Sequence, residues 1–327
     1  MSKEDTNKFV PPWWLKNKHL QSCFHVCFPP KAQTALIWEQ LELPDGDFID
    51  VCWAGHATDS SPLVVLLHGL EGSVRSHYIQ LLLDSLVAAG YQVAVMHFRT
   101  CSGRLNRLPR AYHAGETEDL HYFLQVLMAR YPRKIISALG FSLGGNVLLN
   151  YLVRYPRARL DRAVVVSVPF ELNRCADYLA TVYHWSLLRT MKQKVYEKIK
   201  LGYSMPINEY DLKEINDFRG FDEFITAPLH GFSSADDYYE KVTVRHSLKR
   251  VQHPVLIIHA MDDPLVPAEC IPTPAELSSS ILLEVSQQGG HIGFVNSVFS
   301  WREFWLRQRI LDFLLRENSV LTPTLNK

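Results

Sequence analysis

Three separate stretches of the chain hold a serine, an acid and a histidine, the three residue types that acyl-transfer chemistry combines. Gly140-Phe141-Ser142-Leu143-Gly144 has the pattern G-x-S-x-G, placed between an apolar, β-branched run at 135–139 and a helix-like stretch. That strand–turn–helix setting presents a hydroxyl on a sharp turn, and glycines two residues either side let the backbone bend. The pentapeptide alone is a weak signal, because a glycine-rich turn opening a helix reads the same way. A serine hydroxyl becomes nucleophilic only when a histidine takes its proton and a carboxylate fixes that histidine's tautomer. Downstream, the strand-like run 255–259 leads into Ala260-Met261-Asp262-Asp263-Pro264, and the run 281–285 into Gln287-Gln288-Gly289-Gly290-His291. His291 thus stands on a glycine-flanked loop. Asp263, three residues beyond the small residue that closes its strand, is the expected acid, and Asp262 is its competitor. Acyl transfer also needs donors aimed at the developing oxyanion. The backbone N–H of Leu143 is one candidate, and that of Leu70, in His68-Gly69-Leu70-Glu71-Gly72-Ser73 after the run 63–67, is the other.

The elements that must carry these loops follow from the periodicity. Apolar runs at 63–67, 92–97, 135–139, 163–168, 255–259 and 281–285 mostly lack two-residue alternation, the mark of strands buried on both faces. Helix-like stretches at 74–89, 115–131 and 143–155 stand between them, so the chain reads as α/β with a largely parallel sheet. Runs 37–43 and 48–53 flank Pro44-Asp45-Gly46-Asp47 as a hairpin at the leading edge. A closing helix is expected over 301–317, with Phe304, Leu311, Leu314 and Leu315 on its buried face. The interval from 168 to 255 is too long for a simple crossover and predicts an inserted cap at about 170–250. Its stretch 174–201 reads as helix, with Tyr178, Leu179, Val182, Tyr183, Trp185, Leu188 and Met191 forming an apolar surface over the pocket.

The chain has 327 residues. At roughly 150 residues per domain that is about two domains' worth, yet α/β folds often reach this length as one unit, and a single domain over 1–327 is expected. Hydrophobic residues make up 47% and charged residues 21%, an ordinary globular balance. Lys plus Arg and Asp plus Glu both number 34, which gives no basic field for nucleic acid. No apolar run reaches the ~18 residues of a membrane span, and the opening mixes charge with proline, so a cytoplasmic protein is expected. The six cysteines form no CxxC pair and read as reduced thiols. Cys101 with His113 could imitate a Cys–His nucleophile pair, but loop packing is the better reading. His19, Cys23, His25 and Cys27 match no standard zinc spacing, so neither metal nor cofactor is expected. Lys192, Lys194, Lys198 and Lys200 read as a solvated helix face, open to weak contact with an anionic membrane surface.

HFRTCSG (97–103), YHAGETEDL (112–120), GFSLGGN (140–146), FDEFITAPLHGF (221–232), DYY (237–239) and HAMDDPLVP (259–267), with KHLQS (18–22) and LELPDGDF (41–48), resemble the YheT-like branch of the α/β-hydrolase superfamily. The similarity covers about residues 12–315. It implies an α/β-hydrolase fold with a helical cap, a triad of Ser142, Asp263 and His291, and esterase activity on short- and medium-chain acyl groups. Relatives act on monoacylglycerols, on phospholipids or in acyl transfer to alcohols. One departure is Thr100, where relatives commonly have glycine. The sequence reading is therefore a serine ester hydrolase for a small-molecule ester. Alcohol O-acyltransfer or phospholipase action with the same triad, and a catalytically silent binding module, are the alternatives.

Overall fold

The computed structural model describes residues 8–58, 61–178, 181–296 and 304–315. Strands β1 (Leu36–Glu42) and β2 (Phe48–Ala54) form the expected antiparallel hairpin, with Gly46 taking a φ of 83° in its turn. They are followed by β3 (Leu63–Leu67), β4 (Gln92–Met96), β5 (Ile136–Phe141), β6 (Ala163–Val166), β7 (Val255–Ala260) and β8 (Ile281–Ser286). The sheet order is β1-β2-β4-β3-β5-β6-β7-β8, antiparallel at β1–β2 and β2–β4 and parallel elsewhere. Every residue of β3 through β7 is buried, which explains their unbroken apolar runs. Along β3, Leu63, Val65 and Leu67 enter one core while Val64 and Leu66 enter the other.

Helices cover both faces. α1 (Lys18–Cys27) lies beside α2 (His77–Ala88), and α2 and the last helix share one core, whereas α3 (Glu118–Arg130) and α4 (Leu143–Arg154) share the other. Between β6 and β7 come α5 (Leu172–Tyr178), α6 (Thr181–Lys200), α7 (Glu209–Glu214), α8 (Phe218–Phe221), a π-helical turn (Asp222–Thr226), α9 (Ala227–His230) and α10 (Ala235–Val242). Leu188, Val195, Leu212, Ile215, Phe221 and Ile225 form a small core of this insertion. Tyr238, Tyr239 and Val242 of α10 instead join the main core. The last helix, α11 (Trp305–Leu315), buries Leu306, Ile310, Phe313 and Leu314. Leu315 is 56% exposed and leaves the expected face, because it lies one residue beyond the i, i+4, i+7, i+8 stripe. No helix among the described residues is long and apolar enough to cross a membrane.

Two buried histidines fasten the loops after β3 and β4. His68 Nε2 accepts the Phe98 N–H at 3.2 Å, so its Nδ1–H donates to the Gly69 carbonyl at 2.8 Å. His97 Nε2 accepts the Val74 N–H at 3.0 Å, and its Nδ1–H donates to the Asp50 carbonyl at 3.1 Å. Loss of water pushes His68 down to about 3 and His97 to about 4. The same cause holds His25 of α1 near 4 and His77 of α2 near 3. These imidazoles stay neutral in the folded chain while the unfolded chain takes up protons near pH 6.5, so stability is present above that value and lost below it. Between pH 7.5 and 5.5 each group should remove about 1.4 kcal/mol. A urea midpoint unchanged between those two pH values would rule out neutral burial.

Candidate active site

The serine turn depends on close packing of three elements. Ser142 leaves β5 with φ 52° and ψ −120°, and α4 begins at the next residue. Its N–H donates to the Val166 carbonyl at 2.8 Å, tying the turn to β6. A side chain at Gly144 would place Cβ 2.4 Å from the His68 carbonyl oxygen, and one at Gly140 would lie 2.5 Å from that of Gly144. Only glycine allows α4 to approach β3 and β5 so closely. The same approach brings Ser142 against Gly69 at the start of the loop after β3.

Asp263 and His291 meet across the edges of β7 and β8. His291 Nδ1 is 2.9 Å from Asp263 Oδ2 and 3.1 Å from Oδ1, which makes Nδ1–H the donor and leaves Nε2 as the acceptor. Asp263 is buried, and its Oδ1 also accepts the N–H groups of Leu265 at 2.8 Å and Val266 at 3.2 Å. Asp262 is turned elsewhere. Its Oδ1 accepts the Gly290 N–H at 2.9 Å, and desolvation raises its carboxyl above the usual range. The two competing aspartates therefore differ in role: one touches the imidazole and the other braces its loop. Ser142 and His291 both line a single cavity.

Several supports of the histidine loop carry no chemical signature in the sequence. The His291 N–H donates to Ser22 Oγ at 2.8 Å, and Ser22 in turn donates to the Lys18 carbonyl within α1. Gln21 bonds both backbone groups of Val295, at 2.8 and 3.0 Å. Ser167 Oγ accepts the Ile292 N–H at 3.0 Å. Gln21 and Ser22 belong to KHLQS, which the sequence marked as a motif without revealing its use.

The oxyanion candidates stand on two segments that the packing of α4 on β3 brings together. The Gly69 N–H is taken by Tyr78 Oη at 2.9 Å and the Glu71 N–H by Tyr112 Oη at 2.8 Å. Neither the Leu70 nor the Leu143 N–H donates to a protein acceptor among the described residues. Both residues line the cavity with Ser142.

That cavity has a volume of about 310 Å³, with Leu172, Leu187, Met191, Phe221, Ile225 and Leu229 among its walls. The expected roof is only partly there. Tyr183 and Met191 line the cavity, but Leu188 packs inside the cap, and Trp185 and Tyr178 are exposed. Leu179 and the side chain of Val182 lie outside the described residues. The lysines of α6 do not form a solvated face. Lys194 pairs with Glu71 at 2.8 Å. Buried Lys198 donates to Asn106 Oδ1 and to the carbonyls of Leu108, Pro109 and Arg110. Lys192 reaches the carbonyls of Lys213 and Ile215, and Lys200 pairs with Glu209. Burial of α6 against the loop after β4 overrides its charge pattern.

Cys101 and His113 have different neighbours. Lys194 Nζ is 3.6 Å from the Cys101 sulfur, whose thiol burial pushes up to about 11, while His113 packs on His230 and Phe232. His19 and Cys23 both reach Tyr183 Oη, at 3.4 and 3.3 Å, and among the described residues they form no ligand cluster with His25 and Cys27. The metal-type cluster among the described residues is His113, Glu116 and His230, with ligand atoms within 4.8 Å of one another. Glu116 is already occupied: Arg110 Nη2 sits 2.5 Å from its Oε2, and the Glu118 N–H donates to its Oε1. That donor set fits an ion pair better than a cation.

The sequence profile described as alpha/beta hydrolase fold matches residues 62–298. The chain belongs to the α/β-hydrolase fold family. Within it, the chain is 38% identical to the Escherichia coli (strain K12) protein named "Putative esterase YheT", over 94% of this chain and 93% of that one. It is 29% identical to "Phospholipase ABHD3" of Bos taurus, over 94% of this chain and 78% of that one. Among solved structures, the Pyrococcus furiosus esterase Pf2001 matches its fold with a TM-score of 0.55 at 18% identity, over 88% of this chain and 98% of that one.

In this α/β-hydrolase, the six non-glycine residues with positive φ among those described are Glu71, Thr100, Ser142, Ser167, Ile292 and Phe294. All lie in the loops or turns that follow parallel strands, where strain is held around a site. Thr100, at φ 72°, is β-branched, and its buried Oγ1 has no partner among the described residues. Replacing it by glycine should relieve both, and Thr100→Gly should raise unfolding free energy by about 1 kcal/mol, read as a higher urea midpoint. For the acids, Asp263→Asn should lower kcat by roughly three to four orders of magnitude, as when a triad amide favours the wrong imidazole tautomer. Asp262→Asn should cost about tenfold or less. If Asp262→Asn were the more damaging of two folded variants, the assignment would be reversed.

Proposed function

We propose that this chain hydrolyses carboxylic esters with short- to medium-chain acyl groups through an acyl-enzyme on Ser142. The observation that carries the proposal is the Nδ1 contact of His291 with buried Asp263, together with a strained serine turn opening onto the same cavity. Ser142 Oγ attacks the ester carbonyl carbon as His291 Nε2 takes its proton. Asp263 stabilises the resulting imidazolium, and the Leu70 and Leu143 N–H groups receive the oxyanion. Collapse of the intermediate expels the alcohol, which leaves with the proton from His291. A water molecule then repeats the sequence on the acyl-enzyme, and the carboxylic acid departs.

Two features support the substrate class. The cavity, at about 310 Å³, lies at the small end of ligand pockets, which run from roughly 300 to 1,000 Å³. Its aliphatic walls favour an acyl chain, each buried CH₂ contributing about 0.8 kcal/mol. Lys194, which lines the cavity, is paired with Glu71, so neutral esters, monoacylglycerols included, fit better than charged lipid.

A fluorophosphonate probe should label Ser142, and Ser142→Ala should lose labelling and ester turnover while remaining folded. With p-nitrophenyl esters, kcat/KM should climb with chain length and then fall once the cavity is full. Steady increase to long chains with a jump on emulsified triolein would identify a lipase instead. Ester formation in added alcohol at the expense of acid would identify an acyltransferase.

A further inference from the structure

We propose that Lys194, on the cap helix α6, is a positioning residue for the oxyanion donor Leu70, acting through Glu71 and Tyr112; this rests on the ester-hydrolase reading above. Leu70 lies between two residues whose N–H groups are each fixed to a tyrosine hydroxyl. On one side the Gly69 N–H bonds Tyr78, which belongs to the core shared by α2 and α11. On the other side Glu71 has a φ of 55°. A left-handed conformation is unfavourable for a residue with a side chain, so the loop relaxes unless Glu71 is held from outside.

The holding groups are on the page. Tyr112 Oη accepts the Glu71 N–H at 2.8 Å and donates back to Glu71 Oε1 at 2.9 Å, so one hydroxyl clasps both ends of the residue. Its ring is stacked on Phe98, with centroids 5.2 Å apart and planes inclined by 9°, which fixes where the hydroxyl sits. Lys194 Nζ reaches both carboxylate oxygens, at 2.9 Å to Oε1 and 2.8 Å to Oε2. The Glu71 side chain is only 7% exposed, so removal of that partner would leave a buried carboxylate without its ion pair. Lys194 is the contribution of the cap. A seated cap keeps Glu71 strained, and strained Glu71 keeps the Leu70 N–H aimed at the position where the carbonyl oxygen becomes negative.

A lysine that merely anchored the cap would affect substrate binding and stability. A positioning lysine acts on the charged tetrahedral state. Trifluoromethyl ketones separate the two: Ser142 Oγ adds to the ketone carbon, the C=O π pair moves to oxygen, and the serine proton passes to His291, leaving a bound oxyanion. The matching methyl ketone binds without forming that species. Loss of one oxyanion donor costs about 100- to 1,000-fold in kcat, and a misaimed donor should cost about 10- to 100-fold. Lys194→Met should lower kcat by that factor with KM within about twofold, weaken the trifluoromethyl ketone equally, and leave the methyl ketone unchanged. Lys194→Arg, which keeps a cation, should recover most of the loss. Should Lys194→Met fail to fold, Glu71→Gln carries the same expectation. Wild-type kcat in folded Lys194→Met, or equal weakening of both ketones, overturns the proposal. Fluorophosphonate labelling of Ser142 in the wild-type chain is measured alongside; a chain that neither labels nor hydrolyses esters overturns the hydrolase reading, and the role of Lys194 with it.

Discussion

Everything around Ser142 depends on how closely the start of α4 can approach β3. With a hydrogen in place of a side chain at Gly144, the helix comes to rest on the carbonyls of Leu67 and His68. That contact sets Ser142 beside Gly69 and brings the first turn of α4 against the start of the loop after β3. Helix N-termini carry unpaired donors and a positive end of the dipole, so the approach delivers both the hydroxyl and an electropositive wall. A single methyl group at position 144 would separate them.

The arrangement is strained, and the strain is distributed. Six side-chain-bearing residues with positive φ ring the carboxyl edge of the sheet, and most are tied by hydrogen bonds to elements far away in sequence. Ser142 is tied to β6, Glu71 to Tyr112, and Ile292 to Ser167. α1 contributes from the opposite end of the chain, where Gln21 and Ser22 bond Val295 and His291. Such long-range ties restrict relaxation of the site without occupying space in the pocket.

The sequence displays what has a local cause. Parallel strands buried on both faces must be continuously apolar, and β3, β4 and β7 were readable for that reason. Ser142, Asp263 and His291 stood out because their turns demand glycine, proline and small residues nearby, and the chain indeed brings Asp263 and His291 into contact. What could not be read depends on docking. Lys194 and Lys198 look like solvated lysines until α6 is laid on the loops after β3 and β4. Trp185 looks like a pocket roof until the helix rotation turns it outward. Ser22 is an ordinary helical serine until His291 comes to rest on it. In each case the local pattern is the same for either outcome, and only the tertiary partner distinguishes them.

The buried ammonium of Lys198 has a consequence for evolution and engineering. One cap side chain satisfies three successive carbonyls of the catalytic body, at Leu108, Pro109 and Arg110, together with the amide oxygen of Asn106. A graft that exchanged this cap for another to widen the cavity would strip those acceptors of their donor. The cap is thus not an interchangeable module. Substitutions along Leu187, Met191 and Leu229 can reshape the cavity wall without touching this tie, but whole-cap exchange requires that the 106–110 loop be exchanged with it.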